Sequence, residues 1–382
     1  MSFSKTDLIW AGLFYIGVGG IERIRKIETM EGGVEKTWKN LKKGIFNQEL
    51  KTVFSIKKLA SLTKKASNFS LKKLASDLER NKINLISFDS DNFPEKLKNI
   101  PNPPLVLYCL GSPAKLKKLA VSDFGLAVVG SRKFSNYGQT AIENIMEIIK
   151  YHNFCLISGL AIGIDSLAHK KSLEIKKSNI AVLAGGLDKI YPRVNYPLAK
   201  KIMEHEGVIV SEFPPGTDYF KQNFPARNRI ISGLCDCLLI IEAGYKSGAL
   251  ITADFAIKQG RRVVGLPGSI FSPLSHGANI LLKNGASMIA NEQEIELEIF
   301  GSEITGNHLE IENSLVKSDF NPIQLKIINL LEKIPSVGIS EIVKTTDIAT
   351  AIICSQITQL ELEGWVKKVG DRIYLNRRAT RE

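Results

Sequence analysis

Four glycine-bearing loops and one block of interleaved cations and rings carry the residue types that receive an anion. In GSRKFSNYG, residues 130 to 138, Gly130 admits close backbone approach, Ser131 offers a hydroxyl and Arg132 a planar donor fork. A helix beginning just beyond would add exposed amides and partial positive charge, so the loop suits phosphate. SGLAIGIDSLAH, residues 158 to 169, repeats the device around Gly159 and Gly163. GGLDKIYPR at 185 to 193 and EAGYKSGALITA at 242 to 253 bring further glycines and basic groups. FPPGTDYFKQNFPARNRIISG, residues 213 to 233, interleaves Lys221, Arg227 and Arg229 with Tyr219, Phe220 and Phe224 and also carries Asn228. Cations that grip successive phosphates beside a ring that stacks a base suit single-stranded nucleic acid, at roughly 1 to 3 kcal/mol per stacked base. Phe224 is the preferred stacker. For Tyr219 and Phe220 a core position is the competing reading, and for Arg227 and Arg229 a buried ion pair with Glu212 or Glu242.

Other chemistries find less support. There is no GxGxxG and no Gly-Lys pair anywhere, so neither dinucleotide nor Walker-type nucleotide binding is indicated. Asp165 and His169 stand one helical turn apart, yet a capping carboxylate and a packed histidine account for them, and we read both as structural. A nucleotide or phosphoribosyl hydrolase, with Arg132 on phosphate and Glu242 as base, is the alternative function. No catalytic set, metal-ligand set or cofactor is expected.

Elements able to position these loops are visible in the alternation of LAVV, AIENIMEIIKY, FCLIS, IAVLAGG, PLAKKIMEH, GVIVSEF, CLLIIEAG, LITADFAIKQG and RVVGLPG between residues 121 and 290. Short, wholly apolar, β-branched runs separated by helix-period segments predict a Rossmann-like parallel sheet covered on both faces, an α/β fold. Its carboxyl edge would carry the four loops as a groove. Upstream, Leu8 to Glu28 reads as helix, glycine hairpin at Gly17 to Gly20, and second helix. A phosphate-touching helix-hairpin-helix, a SAM-like helical module and a merely packed helical hairpin all fit. SIKKLA at 55 to 60 recurs as SLKKLA at 70 to 75, two basic amphipathic helices. Downstream, an acidic, weakly patterned linker leads to helix-period segments at 323 to 333, 339 to 345 and 349 to 363 and to WVKKVGDRIYL, with a hairpin turn at Gly370-Asp371. Three helices and a hairpin suggest a winged-helix-like domain, suited to docking a protein at least as well as DNA. The expected organisation is a basic helical module at 1–82, the core at 83–290, the linker at 291–321 and the winged-helix-like domain at 322–382.

The 382 residues are 44% hydrophobic and 24% charged, which argues for a folded chain of two or three domains. Net charge is +12 and concentrated toward the front: residues 1 to 120 hold 22 basic against 11 acidic side chains. Such a field gathers nucleic acid or acidic lipid, and the repeated KKLA helices leave a membrane-surface role open. Five cysteines, mostly inside apolar runs, speak for reduced thiols and a cytoplasmic location rather than a disulfide framework. No run reaches the roughly 18 apolar residues of a membrane span, and the glycine-broken stretch Leu8 to Ile21 is not expected to be cleaved.

Together, NFPEKLKNIPNPPLVLYCLGS at 92 to 112, VGSR at 129 to 132, SGLAIGID, VLAGGLDKIYP, SEFPPGT, FPARNRIISG, EAGYKSGALITA, and GLPGSI followed by GANILLKNGA resemble the DNA-processing protein A (DprA, Smf) family over about residues 83 to 289. The resemblance implies a non-enzymatic, single-stranded-DNA-binding recombination mediator. It implies a homodimer through the Rossmann-like core that delivers DNA to the RecA recombinase during natural transformation or recombination. It also places phosphate at Arg132 and Lys221 and a packed base at Phe224, with Gly159 and Asn228 on the same motifs. Ile162, Ala226 and His276 depart from the family pattern, each removing possible positive charge.

Overall fold

The computed structural model describes residues 3–46, 53–301, 320–333, 337–363, 365–369 and 372–375, which divide into two compact units, Met1–Gly301 and Ser302–Glu382. The first is built on a nine-stranded sheet. Its strands are β1 (Asn84–Ser87), β2 (Val106–Leu110), β3 (Phe124–Val129), β4 (Phe154–Ser158), β5 (Ser178–Leu183), β6 (Val208–Ser211), β7 (Cys237–Ile240), β8 (Arg262–Gly265) and β9 (Ser287–Met288), in spatial order β1-β2-β6-β5-β4-β3-β7-β8-β9. From β6 through β9 every neighbouring pair is parallel. β3 to β7 are buried along nearly their whole length, as uniformly apolar runs require when helices cover both faces. The expected Rossmann-like core is therefore present.

The sheet continues further than the alternation indicated, since β1 and β2 add an antiparallel edge to β6. Tyr108 of β2 is fully buried and, with Ala181, Leu183 and Ile209, packs in one core with Trp10, Leu13, Leu62 and Leu78 from the upstream helices. The N-terminal segment thus docks on the sheet through its apolar stripes. Lys5–Ile16 and Ile21–Glu31 form the helical hairpin, whose first helix ends at Gly17 in the left-handed conformation. The two KKLA segments form helices Ile56–Asn68 and Leu71–Arg80, each capped by the serine that opens its motif, Ser55 or Ser70.

At the other end, the stretch assigned to the linker from residue 291 begins as structure. Glu292–Glu294 is a 3-10 turn and Ile295–Phe300 a helix. Ile295, Ile299 and Phe300 are buried, and the Phe300 ring stacks on His152 with centroids 4.2 Å apart. Apolar spacing one turn apart outweighed the acidic composition. Most of the linker, 302–319, lies outside the described residues, as does the Gly370-Asp371 turn.

The second unit holds helices Pro322–Lys333, Ile339–Thr346 and Thr350–Leu362 with an antiparallel sheet of order β10 (Val337–Gly338), β12 (Arg372–Leu375), β11 (Val366–Val369). Ile327, Ile342, Ile353, Leu360 and Ile373 form its own core. No helix among the described residues is long and apolar enough to cross a membrane. Cys109, Cys155, Cys235, Cys237 and Cys354 are free thiols; burial pushes Cys109 up to about 12 and silences it as a nucleophile.

Candidate nucleic-acid interface

Strand order reverses at β3, whose neighbours are β4 on one side and β7 on the other. Loops leaving the carboxyl ends of strands on either side of such a point diverge and open a crevice. A cleft of about 540 Å³ lies there, lined from the β3 loop by Gly130, Ser131, Arg132 and Lys133, from the β4 loop by Ala161 and Asp165, and from the β7 loop by Gly244, Lys246, Ser247 and Gly248. Phe224, Arg227 and Asn228 form its floor.

The β3 loop is held from below. Glu242, buried at the end of β7, accepts from Ser135 N at 2.9 Å and Ser135 Oγ at 2.6 Å. Ser135 in turn caps the helix Asn136–Ile148 by accepting from Gly138 N. With both oxygens so engaged, Glu242 positions a loop, which counts against its use as a base. Ser131 Oγ closes the turn on itself by bonding Lys133 N and Lys133 O. The neighbouring loop crosses tightly beneath: Gly163 sits at φ +97°, and a Cβ there would meet Ser131 O at 2.3 Å, so only glycine fits.

The residues singled out from sequence fall into two groups. Gly130, Ser131, Arg132 and Phe224 come together in the cleft, with the Arg132 guanidinium 5.4 Å from the Phe224 ring centroid. Arg132 is exposed, as are Lys133 and Lys246, and none of the three is in an ion pair among the described residues. The second group lies beneath the surface, because the helix Asn223–Leu234 is wedged between the sheet and its neighbours and buries every residue from Arg227 onward. Arg227 donates to Gly159 O at 2.8 Å and to Val182 O, while Asp165 accepts from Gly159 N at 3.1 Å. The two charges thus clamp the Gly159 peptide from opposite sides, and a Cβ on Gly159 would lie 2.4 Å from the guanidinium. Burial pulls Arg227 down to about 10 and raises Asp165, with each partner working against the other's shift. Asn228 bridges Arg227 Nε at 3.1 Å and Gly248 O at 3.3 Å.

Arg229 is a correction to its assignment as a DNA contact: it is 7% exposed and its Nη2 donates to both oxygens of Glu212. An arginine so neutralised has no field to offer a phosphate. Gly159 likewise sits below the cleft lining, and Lys221 is exposed on the segment preceding the helix, outside the cleft. Tyr219 is tied down by donating to Lys189 O at 2.8 Å and packs on Tyr191, whereas Phe220 is 54% exposed. The 185–193 loop holds this tyrosine rather than lining the cleft. Sequence reasoning does not single out Lys133 and Lys246. Both occupy motifs that were recognised, and their place on the same strand edge was the available signal.

Asp165 and His169 do not form a couple. His169 Nδ1 is 2.8 Å from Asn179 Oδ1, deep in the fold. Burial lowers its pKa to about 4, against about 6.5 in an unfolded chain. Neutral His169 therefore contributes stability that is complete above about pH 6.5 and is lost as pH falls toward 4, up to ~3 kcal/mol. Comparing urea midpoints of wild type and His169→Gln from pH 7 to 4 should show a steeper decline for wild type; parallel curves would refute the assignment. The raised pKa of Asp165 acts in the opposite direction but is common to both proteins and drops out of the comparison.

A doubly wound sheet with a cation-rimmed cleft at its switch point defines a Rossmann-like ligand-binding protein. The comparisons make it particular: residues 84–299 match the family model described as DNA recombination-mediator protein A, and the chain belongs to that family. Protein Smf of Escherichia coli K12 is 36% identical over 76% of this chain and 77% of its own. DNA processing protein DprA of Streptococcus pneumoniae R6 is 37% identical over 58% of this chain and 76% of its own. The X-ray structure of the Streptococcus pneumoniae DprA superposes with TM-score 0.63 at 28% identity, over 78% of this chain and 99% of that one. A Helicobacter pylori DprA structure, described for that protein's single-stranded DNA binding mode, gives TM-score 0.50 at 28% identity over 56% and 93%.

Proposed function

We propose that this chain binds single-stranded DNA along the carboxyl rim of its sheet and acts, without turnover, as a recombination mediator that passes the strand to a RecA-type recombinase, in the cytoplasm and as a homodimer through the core. The observation that carries the reading is the juxtaposition of three unneutralised cations, Arg132, Lys133 and Lys246, with the Phe224 ring in one open cleft. Cations at the rim match a phosphate backbone, and an aromatic floor receives a base without reading its edge. Family membership and the ligand named for the Helicobacter relative point the same way. The buried, doubly bonded Glu242 favours binding over hydrolysis. The charged clamp of Arg227 and Asp165 gives the cleft a fixed shape before any strand arrives, which lowers the cost of binding.

The test is titration of labelled homopolymers at several salt concentrations. Log affinity should fall linearly with log salt, by about 0.7 for each phosphate neutralised, and oligo-dT and oligo-dA should bind within about tenfold of each other because stacking tolerates any base. Salt-independent binding would exclude the reading.

A further inference from the structure

The N-terminal module carries a second concentration of positive charge that the cleft does not use. Between Lys36 and Lys73 the sequence holds eleven lysines and one acidic residue, Glu49. This stretch lies ahead of the family-matched segment, residues 84–299. Two of its helices end side by side. Ser67 Oγ donates to Lys42 O at 3.0 Å, and a Cβ on Gly44 would touch Thr63 Cγ2 at 3.5 Å. The ends of helices Val34–Lys43 and Ile56–Asn68 thereby gather Lys42, Lys43, Lys64 and Lys65, all exposed. Two residues further on, helix Leu71–Arg80 opens with exposed Lys72 and Lys73.

None of these six lysines is in an ion pair among the described residues, although lysines on the core helices commonly are, as in Lys150–Glu147 and Lys171–Glu174. Helix stabilisation does not explain the pattern. Lysine near a helix C-terminus is favourable, but Lys72 and Lys73 stand in a first turn with no acidic residue, where the macrodipole opposes them. Nor does a lipid surface fit. A helix lying on a membrane buries its apolar stripe in the acyl boundary, and here Leu59, Leu62, Ala66, Leu74 and Leu78 are already sealed in the protein core. What remains outward is chiefly charge, with Ile45 and Ile56 as isolated exposed apolar side chains rather than a continuous stripe, the match for a flexible polyanion.

We propose that this lysine face is an accessory site for the phosphate backbone of DNA extending beyond the cleft, held by charge alone and without regard to sequence. The proposal rests on the reading of the cleft as a single-strand site. It predicts that affinity grows with strand length beyond what the cleft alone covers. The experiment compares wild type, the quadruple variant Lys42→Gln, Lys43→Gln, Lys64→Gln, Lys65→Gln, and Arg132→Ala, with oligo-dT of about 8 nucleotides and of about five times that length, the range being set by OB-fold single-strand binders, which cover roughly 4–16 nucleotides per fold. The quadruple variant should bind the short strand like wild type, lose about tenfold or more on the long one at low salt, and show a long-strand salt slope shallower by up to about 3. Equal long-strand affinity and slope for wild type and the quadruple variant would overturn the proposal. Loss of anionic-vesicle binding with DNA binding intact would overturn it too, in favour of a membrane. Failure of the cleft reading is separately visible, as a short-strand affinity that Arg132→Ala leaves unchanged. Circular dichroism of both proteins confirms that the exposed substitutions leave the fold in place.

Discussion

Arg132→Ala is expected to weaken binding of a short oligo-dT by about 10- to 100-fold near physiological salt, the range set by losing one charged hydrogen bond worth roughly 1.5–3 kcal/mol. The size of the effect follows from what Arg132 does in the free protein. It is exposed, makes no ion pair among the described residues, and lies over the Phe224 ring. Its full charge is therefore available to a ligand, and its removal leaves the loop intact, because Ser131, Ser135 and Glu242 hold the backbone there. Binding should fall while the urea midpoint stays put, and the salt slope should shrink by about 0.7. Lys221→Ala is the internal contrast, since that lysine lies outside the cleft lining. An Arg132→Ala protein that binds as wild type does would remove the cleft from the account.

Arg229→Ala should act on stability instead, costing about 3–5 kcal/mol by leaving the Glu212 carboxylate buried without its partner. Burial already raises the Glu212 pKa despite the arginine beside it. Without that arginine the carboxylate must take up a proton or unfold its surroundings. The double change Glu212→Leu with Arg229→Met keeps the volume apolar and should recover most of the loss, as replaced buried pairs commonly do. Urea midpoints measure both proteins. A stable Arg229→Ala protein with sharply weakened DNA binding would reverse the assignment and return Arg229 to the interface.

These two arginines show where the sequence is legible and where it is not. Gly130-Ser131-Arg132 can be read because a glycine directly after an apolar strand, followed by a capping Ser135, has a fixed meaning: the chain turns at the carboxyl edge and enters a helix. Six of the seven parallel strands, β3 to β8, are legible for a related reason, since uniformly apolar, β-branched runs suit only a sheet covered on both faces, whereas the two-residue β9 carries no such run. Arg227 and Arg229 look the same in sequence as Arg132. What hides them is the wedging of their helix between layers, and Glu212, the partner of Arg229, belongs to the end of β6 17 residues away. The antiparallel edge escaped because β1 and β2 are separated by a proline-rich stretch, Pro101 to Pro104, rather than a short turn. The helix Ile295–Phe300 escaped because its three acidic residues, counting the flanking Glu294, dominate a segment with little more than one buried turn.

Photo-crosslinking tests the central claim most directly. A short oligo-dT carrying a photoreactive thymine analogue is irradiated in complex with the full chain, and the linked peptides are mapped by mass spectrometry. The account predicts crosslinks on the peptide containing Phe224 and on the loop from Gly130 to Lys133. Crosslinks confined to any other face, with those two peptides unmodified, would contradict it.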